Sequence, residues 1–335
     1  MKILRSIFLP IVPIYYVVTW FRNKLYDLGI KKSRSFDFPL ICVGNLSTGG
    51  TGKTPMIEYL INLLKSDYKI ATLSRGYKRT SQGFQLGDDK STVHVLGDEP
   101  FQFYSKFKND IQVAVDASRC QGITTLRALE NPPEIILLDD AYQHRQVKAG
   151  FNILLTTYAN PYFKDMVLPT GNLREPRAGS KRANIIVVTK CPNDLTETDK
   201  KTYINSIKPE HHQHVFFSSI GYSERLFSAE DSILITELTD FALVTGIANP
   251  LPLVGFLKRK NLAFEHLNFK DHHHFTFEDI SNLEKKSCIV TTEKDFMRLK
   301  QYESLKDKLF YLPITVRIDD PEKFNSLIKD FVETA

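Results

Sequence analysis

The 335-residue chain lacks a strong charge excess, paired cysteines and any long apolar run, and each shortage excludes something. Its 44 basic and 39 acidic residues leave a net charge of +5, too small for a dedicated nucleic-acid binder, so no nucleic-acid partner is expected. Cys42, Cys120, Cys191 and Cys288 stand far apart with no C-x-x-C pair. That spacing excludes a disulfide framework and a zinc ribbon, and it fits a reducing compartment. With 16 Gly and 16 Pro and no repeat, the chain is neither collagen-like nor low-complexity. Its length exceeds what one compact domain usually holds, which predicts two domains.

The longest uncharged stretch, residues 6–21, covers sixteen positions. A helix of that length spans ~24 Å, short of the ~30 Å hydrocarbon core of a bilayer. Pro10 and Pro13 interrupt it further, so a simple transmembrane span is not expected. Trp20, Phe21 and Arg22 stand where a signal peptide needs small residues. The remaining reading is a helix lying in the lipid headgroup region. Tyr15, Tyr16 and Trp20 suit that interface, and Lys24, Lys31, Lys32 and Arg34 would meet anionic lipid. The alternative is a helix buried against its own domain.

Beyond Pro39 the chain alternates apolar strands with helical patterns. Strands are expected at 40–43, 69–73, 111–115, 135–138, 151–156 and 185–189, with a hairpin or excursion over 83–92. Several are almost continuously apolar, which predicts an α/β fold: a mostly parallel sheet with helices on both faces. The pattern restarts after the polar stretch 218–231. There strands are expected at 241–245, 288–292 and 309–316, and helices at 251–260 and 321–334. The organisation read from this is an N-terminal interface helix (1–34), a main domain (35–225) and a smaller C-terminal α/β domain (226–335).

The sharpest motif runs from Gly44 to Thr54. A strand enters a glycine-rich loop and a helix starts at its end, so backbone amides at Thr48, Gly49, Gly50, Thr51 and Gly52 can line a concavity for polyphosphate. Lys53 supplies a point charge for the outer phosphates, and the Thr54 hydroxyl is placed for Mg²⁺. Gly49 to Thr54 matches the G-G-x-G-K-T variant of this loop, although that variant's extra lysine is replaced by Thr48. A nucleotide switch shares that core, and the missing lysine speaks against one. A second motif, Ile135 to Leu138 followed by Asp139 and Asp140, brings carboxylates to the edge of a buried strand. One or both aspartates can hold the metal, directly or through water.

A kinase also needs a base for its acceptor hydroxyl. Gly97-Asp98-Glu99-Pro100 offers an acidic pair at a helix start, although Asp98 equally suits an N-cap. The run His272-His273-His274 points in different directions and suits a histidine that tunes a carboxylate better than a metal site. His211, His212 and His214 read as solvated surface.

Taken in order, these motifs resemble those of the tetraacyldisaccharide 4′-kinase family, the lipid A 4′-kinases of Gram-negative bacteria. The resemblance spans nearly the whole chain. It rests on Gly44 to Thr54, Ser74-Arg75-Gly76-Tyr77, Gly97 to Pro100, Leu138 to Arg145, Gly171 to Pro176, Asp271-His272-His273 and Thr292 to Asp295. Tyr142 and Ala141 depart slightly from the family's usual pattern.

The resemblance implies a P-loop NTPase-like fold that transfers the γ-phosphate of ATP, with Mg²⁺, to the 4′-hydroxyl of a lipid-linked glucosamine disaccharide. It implies work at the cytoplasmic face of the inner membrane, on a glycolipid substrate, without an obligate protein partner. Asp98 becomes the base, paired with His272. Asp139, Asp140 and Glu175 fall at acidic metal-site positions, and Gln143, His144 and Arg174 lie in active-site motifs. Arg75 and Arg119 are candidates, by charge, for the substrate's 1-phosphate. The second domain is expected to close over the nucleotide and exclude water.

Overall fold

Along β1 (Leu40–Asn45) the side chains alternate between two cores. Leu40 and Cys42 enter one, while Ile41 and Val43 enter the other. A strand buried on both faces needs helices on both sides, and the sheet around β1 has them. The computed structural model describes residues 8–271 and 273–335. Two compact units emerge: the first runs to Ile220 and resumes over Val316–Ala335, and the second is Gly221–Thr315.

The strands of the first unit are β1, β2 (Ile70–Ser74), β3 (Gln85–Leu86), β4 (Gln112–Val115), β5 (Ile135–Asp139), β6 (Phe151–Thr157), β7 (Ile185–Thr189) and β8 (His214–Tyr222). Among the described residues they form a sheet in the order β8-β7-β6-β1-β5-β2-β4-β3, extended beyond β8 by a strand from the end of the chain. From β8 to β4 every recorded pairing is parallel. The carboxyl ends of β1, β2, β5, β6 and β7 therefore share one edge, where ligands of open α/β sheets bind.

The helices follow from the same pattern. They are α1 (Val12–Asp27), α2 (Lys53–Leu64), α3 (Val93–Leu96), α4 (Asp98–Phe107), α5 (Arg119–Arg127) and α6 (Glu197–Ile207). Met56, Ile57, Leu60, Ile61 and Leu64 place a helical stripe of α2 in the core beside Phe103 of α4. Ser118 caps α5, and Thr196 with Asp199 forms a capping box on α6.

The second unit contains β9 (Arg225–Phe227), β10 (Ser232–Leu234), β11 (Phe241–Thr245), β12 (Phe264–Asn268), β13 (Ile289–Thr291) and β14 (Leu309–Tyr311). Their order is β10-β9-β14-β13-β11-β12, parallel from β14 to β12. Leu243 and Val244 enter opposite cores, filled by Leu253 and Leu257 of α7 (Leu251–Arg259) on one face. The other takes Ile280 and Leu283 of α8 (Phe277–Glu284) and Phe296 and Leu299 of α9 (Glu293–Leu299).

The sequence boundaries need two corrections. The expected strand 309–316 is two strands, β14 and β15 (Ile314–Ile318), with Leu312 and Pro313 between them, and β15 lies beside β8. The expected C-terminal domain 226–335 accordingly differs from the observed second unit. Phe324, Ile328 and Val332 of α10 (Pro321–Thr334) enter the core that holds α2. Burial of each such side chain contributes ~1.5–3 kcal/mol, which is why the last segment belongs to the first unit. The stretch 83–92 is an excursion whose β3 pairs antiparallel with β4 at the sheet edge.

α1 sits on the first unit by one face. Val12 and Tyr15 pack on its core, whereas Ile14, Val17, Val18 and Phe21 are 56–65% exposed. No helix among the described residues is long and apolar enough to cross a membrane.

Candidate functional site

β1 delivers the chain into the loop 46–52, and α2 begins at its end. Gly52 occupies the N-cap with φ +90°, a left-handed conformation that side chains resist. The first-turn amides of α2 have no intrahelical partner, and the helix dipole adds partial positive charge there, a cradle suited to phosphate. Thr189 Oγ1 at the end of β7 donates to the Thr51 carbonyl at 2.8 Å, and Lys190 Nζ donates to the Gly50 carbonyl at 2.6 Å. Inside the bend, Asn45 Nδ2 donates to Thr51 Oγ1 at 2.7 Å. The bend is therefore braced by the ends of β1 and β7.

Thr48 departs from the expected set. Its amide donates to the Asn172 carbonyl at 2.7 Å, and Ser47 bridges Leu173, so the chain at 171–174 runs against the loop. The Thr48 amide serves that contact and not the cradle. Gly49 and Gly50 are exposed, and Lys53 and Thr54 open α2.

Under the loop, β5 ends at Asp139, 1% exposed, with Asp140 next at φ +49°. Lys53 Nζ lies 3.6 Å from Asp140 Oδ1, and Arg174 Nη1 donates to both Asp140 oxygens at 3.0 Å. Burial pushes the Asp140 carboxyl up, but Lys53 and Arg174 together outweigh it and hold it below the usual carboxylate range. Asp139 is the opposite case. Burial first, then the charges of Glu99 and Asp140, push its carboxyl up to about 8, against the pull of Lys53 and Arg119.

Asp139 Oδ1 is buried without a hydrogen-bond partner. A carboxylate in that condition needs a cation, and Lys53 does not fully supply it. The residues thus fit Mg²⁺. No group of three or more His, Cys, Asp or Glu side chains among the described residues could hold a metal. Mg²⁺ takes one or two carboxylates and completes its shell with phosphate oxygens and water, so it does not require such a group. Asp139, Asp140 and the Thr54 hydroxyl would hold it.

Asp98 opens α4 but does not cap it. Gly97 takes the N-cap at φ +91°, and no side chain caps the helix. A Cβ at Gly97 would meet the Tyr77 carbonyl oxygen at 2.9 Å, and one at Gly76 would meet that of Leu96 at 2.9 Å. Only glycines allow the Arg75-to-Tyr77 and Leu96-to-Asp98 segments to press together, which brings the half-buried Asp98 beside Arg75's loop. The charge of Glu99 is felt at Asp139, at the end of β5. His272, the expected partner of Asp98, lies outside the described residues.

Two further expectations change. Arg119 is 3% exposed, with Nη1 on the Asp116 carbonyl at 2.8 Å and Nη2 toward that of Asp139 at 3.4 Å. It braces β4 and β5 and has no open face for a substrate phosphate, whereas Arg75 is exposed. Glu175, expected at the metal, is 2% exposed and has both oxygens taken. Arg182 donates to Oε1 at 2.9 Å and Oε2 at 3.1 Å, Gln143 to Oε1 at 3.0 Å and Asn23 to Oε2 at 2.6 Å. It is a structural hub. His144 follows Gln143 in the chain, and burial followed by the charges of Arg119, Arg22 and Arg75 keeps its imidazole below the usual pKa.

Sequence reasoning gave Tyr15 to the lipid interface, whereas its hydroxyl donates to the Arg174 carbonyl, and it missed Asn23, Arg182, Thr189 and Lys190. For the last two a signal existed: a buried apolar strand that ends in Thr-Lys at the ligand edge. The others are recognisable only by what they touch.

A family model described as Tetraacyldisaccharide-1-P 4′-kinase matches residues 4–333. A protein named tetraacyldisaccharide 4′-kinase from Flavobacterium johnsoniae is 50% identical over 99% of this chain and 98% of its own length. Its namesake from Flavobacterium psychrophilum is 49% identical over 100% of this chain and 99% of its own. Among solved structures, the "apo" form of LpxK from Aquifex aeolicus in complex with ATP is similar, with a TM-score of 0.78. It shares 31% identity, over 98% of this chain and 99% of that one.

Proposed function

The chain belongs to the tetraacyldisaccharide-1-P 4′-kinase family, and on that premise we propose how its residues act. The reaction is transfer of the γ-phosphate of ATP to the 4′-hydroxyl of a tetraacylated glucosamine disaccharide 1-phosphate, a step of lipid A biosynthesis. The loop 49–52 and the first turn of α2 cradle the triphosphate, and Lys53 neutralises its outer oxygens. Asp139, Asp140 and Thr54 would hold Mg²⁺, which would supply positive charge against the phosphate oxygens. Asp98 accepts the proton of the incoming hydroxyl, with His272 as its partner. Arg75 faces the substrate, and Arg174 keeps Asp140 ionised.

The observation that carries this reading is the pair of aspartates at the end of β5. One is ion-paired to Lys53, and the other is buried with an unsatisfied oxygen. Such a carboxylate is costly unless a cation arrives, so its presence is intelligible as a metal position. A γ-phosphate transfer assay with purified disaccharide lipid tests it. Lys53→Ala is expected to abolish transfer, and near wild-type activity would remove the phosphate-loop assignment. Asp98→Asn is expected to lower kcat ~10²–10⁴-fold with little change in ATP affinity. A pure loss of ATP binding would instead return Asp98 to a structural role.

The outward face of α1 belongs to the same proposal. Ile14, Val17, Val18, Trp20 and Phe21, with Leu9 and Ile11 just before the helix, are all 46–65% exposed, and Lys24, Lys31, Lys32 and Arg34 follow. An apolar stripe with interfacial aromatics and adjacent cations suits the anionic inner leaflet of the cytoplasmic membrane. An acceptor with several acyl chains leaves a bilayer only at ~0.8 kcal/mol per CH₂, so the enzyme goes to the lipid.

A further inference from the structure

The same helix has a second stripe, and it points to the phosphate loop. Tyr15, Arg22, Asn23 and Tyr26 stand at spacings of seven, eight and eleven, which places them on one face of α1. Ile14, Val17, Val18 and Phe21 form the other face at spacings of three, four and seven.

Two lines of contact leave the inner face. Tyr15 Oη donates to the Arg174 carbonyl at 2.9 Å, Arg174 clamps Asp140, and Asp140 faces Lys53. Asn23 Nδ2 donates to Glu175 Oε2 at 2.6 Å, and Glu175 accepts from Gln143. Gln143 Nε2 also donates to the Asn45 carbonyl at 2.8 Å, and Asn45 holds Thr51 inside the loop. Arg22 adds a bond to the Gln143 carbonyl at 2.9 Å, and Arg145 returns from the motif to the Asn23 carbonyl at 2.8 Å. These bonds link the inner face of α1 to the phosphate loop and to Asp140.

We propose that Asn23 and Tyr15 are positioning residues of the phosphotransfer site, fixing the phosphate loop and Asp140 through Glu175 and Arg174. The inference rests on the assignment of Lys53 and Asp140 made above. Its physical basis is that a buried carboxylate is held in place only while its donors stay. Without Asn23, Glu175 Oε2 keeps only Arg182 at 3.1 Å, so the carboxylate that anchors Gln143 loses one of its three donors. Phosphoryl transfer depends on positioning, and a misplacement of ~1 Å can cost ~10²-fold in rate. The helix that meets the lipid is thus also the helix that sets the loop.

The test uses the full chain in detergent micelles, with dispersed disaccharide acceptor, where vesicle docking is not needed. Asn23→Ala and the near-isosteric Tyr15→Phe are each expected to lower kcat about 10-fold. KM for the acceptor and partition onto anionic vesicles, measured separately, stay within about 2-fold. Asn23→Asp places a second carboxylate against Glu175, so its kcat falls further at pH 8 and recovers toward pH 5.5 relative to wild type. A merely structural role would leave that relative pH profile flat. Wild-type kcat in both Asn23→Ala and Tyr15→Phe overturns the inference, as does a defect on vesicles that vanishes in micelles. If Lys53→Ala is inactive while these variants are normal, only this inference fails. If Lys53→Ala is active, the underlying site assignment fails first.

Discussion

Asn in place of Asp139 is expected to make the protein more heat-stable at pH 8 while it eliminates transfer. The native carboxyl is buried, and burial, then Glu99 and Asp140, push it up to about 8. In the unfolded chain it titrates near the usual value of ~3.9. Between those values the native state binds one more proton than the unfolded state, so stability falls as pH rises from ~4 to ~8. The slope is at most ~1.4 kcal/mol per pH unit for one group, or ~4 kcal/mol from pH 5 to pH 8. Relaxation and water entry reduce this, and we take ~2 kcal/mol as realised.

For a unit of this size, ~1 kcal/mol moves Tm by ~2–4 °C, so the advantage of Asp139→Asn over wild type should grow by ~4–8 °C between pH 5 and pH 8. Taking the difference between the two pH values cancels the constant cost of a buried amide. Differential scanning calorimetry of both proteins without nucleotide measures it. An advantage that is flat, or larger at pH 5, would refute the reasoning. Mg²⁺ with ATP should then stabilise wild type more than the variant, by linkage to binding.

Gly97→Ala forces a Cβ at φ +91° to within 2.9 Å of the Tyr77 carbonyl oxygen. It is expected to cost ~1–3 kcal/mol and to lower kcat by displacing Asp98, read by thermal melts and initial rates. Val18→Asp, at a position 61% exposed, should leave Tm unchanged and weaken sedimentation with anionic vesicles several-fold. High salt should likewise weaken vesicle binding if the cationic cluster contributes, and unchanged binding would credit the apolar stripe alone.

Much of the first unit was legible because its strands are buried on both faces. Ile135–Asp139 and Ile185–Thr189 each open with four consecutive apolar residues, which the sequence shows without further help. β8 was not legible: Ser218 is buried in it although its residue type is polar, and His214 at its start reads as surface. β12, with Glu265 exposed and His266 half-buried at a sheet edge, lacks an apolar run altogether. At the site, the loop and the two aspartates announced themselves by type and order. Arg119 and Glu175 did not, because a charge count cannot distinguish a guanidinium open to substrate from one folded against carbonyls. Asn23 became visible only when the helix had a neighbour.

The return of the chain's last twenty residues to the first unit sets the order in which the protein is completed. Phe324, Ile328 and Val332 finish the layer over α2, so that layer stays open while the ribosome makes everything between Gly221 and Thr315. The inserted unit has all its own residues earlier and can close first. The first unit, begun first, is sealed last.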